Sequence, residues 1–242
     1  MNKMKLMNFF FAMALLTIFN FHLYSQEVSS TAVVTFLSGE VKNFRNGAMS
    51  PIKKNDILLP GDEISVGNKS SVDIQLSSGS AIKLKSNSKI KINSLLESES
   101  KETTRLSLFS GTIFAKVFKK TGKESQFLIA GPTLTAGVRG TEFVLSTGET
   151  DDANSFQEGV YVKEGEVAVT EERGSKEFSV SGGEELVRTA KGMQKQILQD
   201  ASKEKLRILE TIIVMKEESF QMLRESRMKN KEMLESLKNQ PK

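Results

Sequence analysis

The sequence of 242 residues contains no cysteine, no tryptophan and one histidine, His22. Without cysteine there is no disulfide, no thiol nucleophile and no thiol to carry the lipid of a bacterial lipoprotein. One histidine cannot build a His-ligated zinc site, and His22 lies in a segment with the marks of an export signal. Once that segment is cleaved, Ser-His-Asp and Cys-His chemistry are excluded as well. Tyr24 lies in the same segment, leaving Tyr161 as the one remaining tyrosine. A glycosidase sets two carboxylates across a sugar, and such a cleft usually carries aromatic side chains. The acidic doublets Asp62-Glu63, Asp151-Asp152, Glu171-Glu172 and Glu184-Glu185 do not supply facing carboxylates, because neighbours on a strand point to opposite sides. The expectation is a protein that is not an enzyme and needs no metal or cofactor. A hydrolase using carboxylates alone is the one enzymatic option left.

The N-terminal segment has Lys3 and Lys5 without an acid, then an apolar run over residues 9–21 broken only by Thr17 and Asn20. Ser25 offers a small residue before Gln26. This reads as a signal peptide over residues 1–25, the run being short of the ~20 apolar residues of a membrane-spanning helix. An uncleaved anchor is the alternative. The expected location is periplasmic or secreted. The rest of the chain carries 32 basic against 30 acidic residues, with residues 190–242 at net +4 and the part before them at net −2. No basic, aromatic-studded face emerges, so nucleic acid is not an expected partner.

From Thr31 to Arg188 the pattern is that of strands. In residues 71–84, Val72, Ile74 and Leu76 alternate with Asp73 and Gln75. Asn46-Gly47, Pro60-Gly61-Asp62, Ser78-Gly79, Thr121-Gly122 and Ser181-Gly182-Gly183 mark turns. One unit recurs: Phe36-Leu37-Ser38-Gly39-Glu40-Val41, Leu108-Phe109-Ser110-Gly111-Thr112-Ile113 and Val162-Lys163-Glu164-Gly165-Glu166-Val167. Strand, polar residue, Gly, polar residue, strand predicts a tight hairpin whose glycine takes a positive φ. The spacing is too irregular for a simple repeat, which favours a jelly-roll-like β-sandwich with a short β-solenoid as alternative.

Residues 193–240 contain no glycine or proline and read as one or two helices. An apolar stripe includes Leu209, Ile212, Phe220 and Leu223, interrupted by Lys216, Arg227 and Asn230. A single helix cannot bury such a stripe alone. It either packs on its own domain or serves as a partner-binding tail, including a homo-oligomer contact. The domain division expected is 1–25 signal peptide, 26–189 β domain and 190–242 helical tail.

The stretch Leu59-Pro60-Gly61-Asp62-Glu63-Ile64-Ser65-Val66-Gly67, followed by Val72, Ile74, Leu76, Gly79-Ser80 and Ile82, resembles the first half of a FecR domain. Gly131-Pro132-Thr133, then Gly137-Val138-Arg139-Gly140-Thr141-Glu142-Phe143 and the hairpin from Val162 to Val167, resemble the second. The resemblance covers residues 31–188 and implies an all-β, jelly-roll-like extracytoplasmic domain without catalytic activity. The family's namesake is an envelope sensor that relays ferric citrate transport to a cytoplasmic sigma factor. A signal peptide stands here in place of that type's cytoplasmic segment and transmembrane helix, so a free-standing exported FecR-like protein is expected.

Three residues of the β region are candidates for ligand binding, each with a structural alternative. Asp62 could offer its carboxylate to a ligand or simply fix a turn. Arg139, between two glycines, could clamp an anion or lock the strand through an internal ion pair, with Glu142 beside it. Lys116, Lys119, Lys120 and Lys123 form a basic cluster read as a solvated hairpin tip, and residues 149–154 an acidic loop. The primary expectation is an exported, non-catalytic binding or scaffolding module contacting an envelope protein or cell-wall component. The alternative is an extracytoplasmic sensor acting through a separate membrane partner.

Overall fold

The computed structural model describes residues 28–119, 121–148, 155–171 and 176–214, and eight further positions between 218 and 233. The expected signal peptide, residues 149–154, Lys120 and Phe220 lie outside the described residues.

The chain begins with β1 (Val28–Ser29), β2 (Ala32–Ser38), β3 (Val41–Arg45), β4 (Ala48–Pro51), β5 (Ile57–Leu58) and β6 (Glu63–Val66). The middle comprises β7 (Ser71–Leu76), β8 (Ala81–Leu84), β9 (Lys89–Glu97), β10 (Lys101–Ser110), β11 (Thr112–Val117) and β12 (Glu124–Ala130). Then follow β13 (Leu134–Val138), β14 (Thr141–Ser146), β15 (Gly159–Glu164), β16 (Glu166–Glu171), β17 (Glu177–Ser181), β18 (Glu184–Thr189) and β19 (Gly192–Ile197). The first sheet runs β4-β3-β6-β9-β10-β12-β13-β16-β17, with β1 against β9. The second runs β5-β2-β7-β8-β11-β14-β15-β18-β19.

The fold is therefore mainly β, two large open sheets stacked as a sandwich. Its strand order departs from a jelly roll. A Greek key returns a late strand beside an early one, whereas here strand numbers climb along both sheets, apart from the β3/β4 and β2/β5 ends. Neighbours pair antiparallel, some through hairpins such as β7–β8 and β9–β10 and others after the chain has visited the opposite sheet, with β10–β12 the parallel exception among the described strands.

The three recurring Gly units explain this winding. They are not hairpins within one sheet, as the spacing led us to expect. Gly39 joins β2 to β3, Gly111 joins β10 to β11 and Gly165 joins β15 to β16, and each pair of strands lies in different sheets. All three glycines have positive φ, at 78°, 87° and 87°. The corners also cross other backbone closely. A Cβ on Gly111 would stand 2.5 Å from Ser88 Cα, and one on Gly165 2.5 Å from the Gly140 carbonyl oxygen. Glycine is required there for both conformation and space.

The inward residues of both sheets form one core that includes Ile64, Ile74, Ile90, Leu106, Phe127 and Phe143. A second cluster lies on the outer face of the second sheet, where Phe114, Phe156, Tyr161 and Val187 meet Leu198, Leu206, Leu209 and Ile212. The C-terminal segment thus packs on its own domain. It begins later than its composition implies: residues 193–197 belong to β19, paired with β18 and edged by a Lys195–Glu184 ion pair of 3.1 Å. The alternation Met193-Gln194-Lys195-Gln196-Ile197 after a Lys191-Gly192 turn satisfies a strand as well as a helix, and the open edge of β18 decides. Helix α1 covers Asp200–Leu206, a 3-10 turn covers Arg207–Thr211, and Ile212 is already extended at φ −67°, ψ 121°. The β-branched run Thr211-Ile212-Ile213-Val214 ends the helix.

Candidate functional site

Asp62 is a structural pin. Its side chain is 1% exposed and both oxygens are taken by Arg45, Nε to Oδ1 and Nη2 to Oδ2, each at 2.5 Å. Oδ2 also accepts the Leu59 N–H at 2.8 Å, and the Asp62 N–H closes the turn onto the Leu59 carbonyl at 3.2 Å. Arg45 further donates to the Ile57 carbonyl, so one guanidinium ties together the passage between the sheets from β5 to β6. Burial alone would raise the Asp62 pKa; the Arg45 and Leu59 hydrogen bonds outweigh it and hold the carboxyl below its usual range. The same bond raises the Arg45 pKa. Arg45 did not stand out in the sequence, since nothing in Phe44-Arg45-Asn46-Gly47 beyond a hairpin signal links it to a turn 17 residues on.

Arg139 and Glu142 are not brought together. Arg139 sits exposed in the corner between β13 and β14 and forms no ion pair among the described residues, contrary to the internal lock that we considered. It borders a shallow groove of about 520 Å³ on the outer face of the first sheet, together with Gln126, Leu128, Gly137, Glu166 and Ala168. Glu142 lies across the corner, on β14 of the second sheet, facing Lys163 at 3.4 Å and Lys116 at 3.7 Å. Lys163 in turn holds Glu210 of the C-terminal segment at 3.0 Å. That bond is the main cause raising the Lys163 pKa and lowering that of Glu210. Of the basic cluster, Lys116 therefore faces Glu142, and Lys123 pairs with Glu97 at 3.2 Å.

The tail residues are engaged by their own chain. Leu209 is fully buried and Ile212 nearly so in the second apolar cluster, and Leu223 packs against Val33 and Ile57. These side chains pack on the second sheet of their own chain. Where the helix stops, a polar clamp takes over. Asp73 Oδ2 accepts the Ile213 N–H at 2.8 Å, and the Thr35 hydroxyl donates to the Ile213 carbonyl. Asp73 is fully buried, and its Oδ1 lies 2.6 Å from Lys83 Nζ, with Lys83 itself 5.6 Å from the Phe36 ring centroid. Thr35, Asp73 and Lys83 were missed because alternation placed Asp73 opposite the core residues, on a face that would be wet without the tail. The unusual signal was an Asp and a Lys directly opposed on adjacent strands.

The outer faces of the two sheets therefore differ. The second is crossed by the chain's own C-terminal segment, while among the described residues nothing crosses Arg139 and its groove on the first. Among the described residues, no group of three or more His, Cys, Asp or Glu side chains could hold a metal ion, and no helix is long and apolar enough to cross a membrane.

Among curated proteins no match is found. Two crystal structures of a proposed anti-sigma factor from Parabacteroides distasonis ATCC 8503 resemble the chain at 20% identity, with TM-scores of 0.47 and 0.46. The match covers 60% and 59% of this chain and only 63% and 62% of theirs. The family model described as FecR protein matches residues 62–168, from the buried Asp62 pin to β16. These residues carry most of the sequence resemblance, and the match bears out the expected likeness to the FecR family over this central part of the chain.

Proposed function

We propose that the protein is a non-catalytic, extracytoplasmic regulator that acts by contacting a separate membrane-bound signalling protein. The observation that carries this is the FecR match over residues 62–168, on strands that present one strapped and one open sheet face. The same match favours regulation over a purely scaffolding role. Three acidic groups of the sandwich are engaged: Asp62 by Arg45, Asp73 by Lys83 and Glu142 by two lysines. Such pairing suits a recognition module, in which charge fixes geometry and leaves the open groove at Arg139 as contact surface. Export by residues 1–25 places the module outside the cytoplasm and requires a membrane partner to carry the signal inward.

Cross-linking in intact cells, followed by purification of the full chain, tests this reading. Recovery of a transmembrane signalling protein supports it. Recovery of peptidoglycan alone, or only of further copies of this chain, supports the scaffold instead.

A further inference from the structure

We infer that residues 200–214 form a releasable strap over the second sheet, latched at Ile213 by Asp73 and Thr35. The strap stands on its own contacts and does not depend on the regulatory reading.

The segment is held in two ways. Its first part is an apolar anchor: Leu206, Leu209 and Ile212 enter the cluster of Phe114, Phe156 and Tyr161. Around the anchor are polar ties at the surface, from Lys163 to Glu210 at 3.0 Å and from Lys205 Nζ to the Ser155 carbonyl at 2.6 Å. Its last part is the clamp on the Ile213 backbone. Both backbone groups of Ile213 are gripped, while its side chain stays 46% exposed. A clamp on backbone groups, with the side chain about half exposed, holds a strand-like segment more by position than by packing.

Three features make the strap separable from the sandwich. Its helix has seven residues and no side-chain N-cap, too short to persist without the sheet beneath it. Its departure leaves both sheets fully paired, because residues 200–214 add no strand to either. Its polar joint is satisfied open or closed. Asp73 keeps Lys83 on Oδ1 when Ile213 leaves, and water reaches Oδ2 from the side the strap vacated. By contrast, the Arg45–Asp62 pin cannot open without stranding charge inside the domain. Opening the strap bares Phe114, Phe156 and Tyr161, an apolar patch that the closed form hides. The device is a cover that trades a sealed face for an adhesive one.

Native-state hydrogen exchange on the full chain reads this. The Leu209 and Ile212 amides are expected to exchange through local opening at least about 100-fold more often than amides of β11 and β14. Ile213→Pro deletes the clamped N–H, and Ile212 already has the extended backbone that a following proline needs. Ile213→Ala keeps the N–H and removes the exposed side chain. The proline variant should speed strap exchange by about tenfold or more, with the alanine variant and the sheet amides unchanged. The inference is overturned if strap and sheet amides exchange together in the wild type. It is equally overturned if proline and alanine act alike, or if proline melts the whole sandwich.

Discussion

Replacing Asp62 by alanine should be among the most damaging single changes to the β domain. The substitution removes both acceptors of the Arg45 fork and the acceptor of the Leu59 N–H. Breaking a buried pair from one side costs about 3–5 kcal/mol, because the surviving charge is stranded. Arg45 keeps 33% of its side chain exposed and can recover some hydration, which brings the expected loss to about 2–4 kcal/mol. For a domain of this size that lowers Tm by roughly 5–15 °C. The pH dependence gives a second handle. The folded Asp62 pKa lies below its ordinary 3.8, so its stabilisation is complete above that value and is lost as pH falls through the depressed folded pKa. Thermal melts of wild type and Asp62→Ala should thus differ fully at pH 7 and converge as pH drops below about 4. A difference under about 1 kcal/mol at pH 7, or a gap that widens on acidification, would refute the pin.

Other consequences can be measured with the same melts. Gly111→Ala should destabilise more than Gly47→Ala: both have positive φ, but a Cβ at Gly111 meets Ser88 at 2.5 Å, whereas at Gly47 it meets nothing within 4 Å. Equal losses would mean that only the dihedral matters at these corners. Leu209→Ala should remove about 2 kcal/mol or more from strap docking, seen as faster exchange of strap amides with little change in the melting of the sandwich. Loss of the main melting transition in that variant would make residues 200–214 part of the global core. Lys163→Ala should leave Tm within error, because its partners Glu142 and Glu210 are reached by solvent. A clear drop in Tm would show that this network works as a unit.

Much of the β architecture is legible in the sequence, because period-two alternation and glycine turns are local signals. Val72, Ile74 and Leu76 face the core as their spacing requires, and Pro60-Gly61-Asp62 is a turn. What local pattern does not carry is which sheet a strand joins. Leu108-Phe109-Ser110-Gly111-Thr112-Ile113 has hairpin chemistry, yet its strands diverge to opposite layers, because backbone from the Ser88 corner passes directly beside Gly111. Residues 193–197 fail for a similar reason: without glycine or proline they read as helix, and only the free edge of β18 draws them into a strand. Pairing partners were harder still. Arg45 and Asp62, or Asp73 and Ile213, meet across 17 and 140 positions, and no periodicity reports such distances. Arg139 stood out in sequence by its flanking glycines, which free the corner and leave the guanidinium at the surface.

The most direct test of a regulator working through its open face joins capture to one substitution. Full-length wild type and Arg139→Glu are cross-linked in intact cells, recovered and compared, with melting curves as the fold control. The account predicts that the wild type retains a transmembrane signalling protein, and that Arg139→Glu loses it while its Tm is unchanged. Equal recovery by both proteins, or recovery of cell-wall material alone, would contradict it.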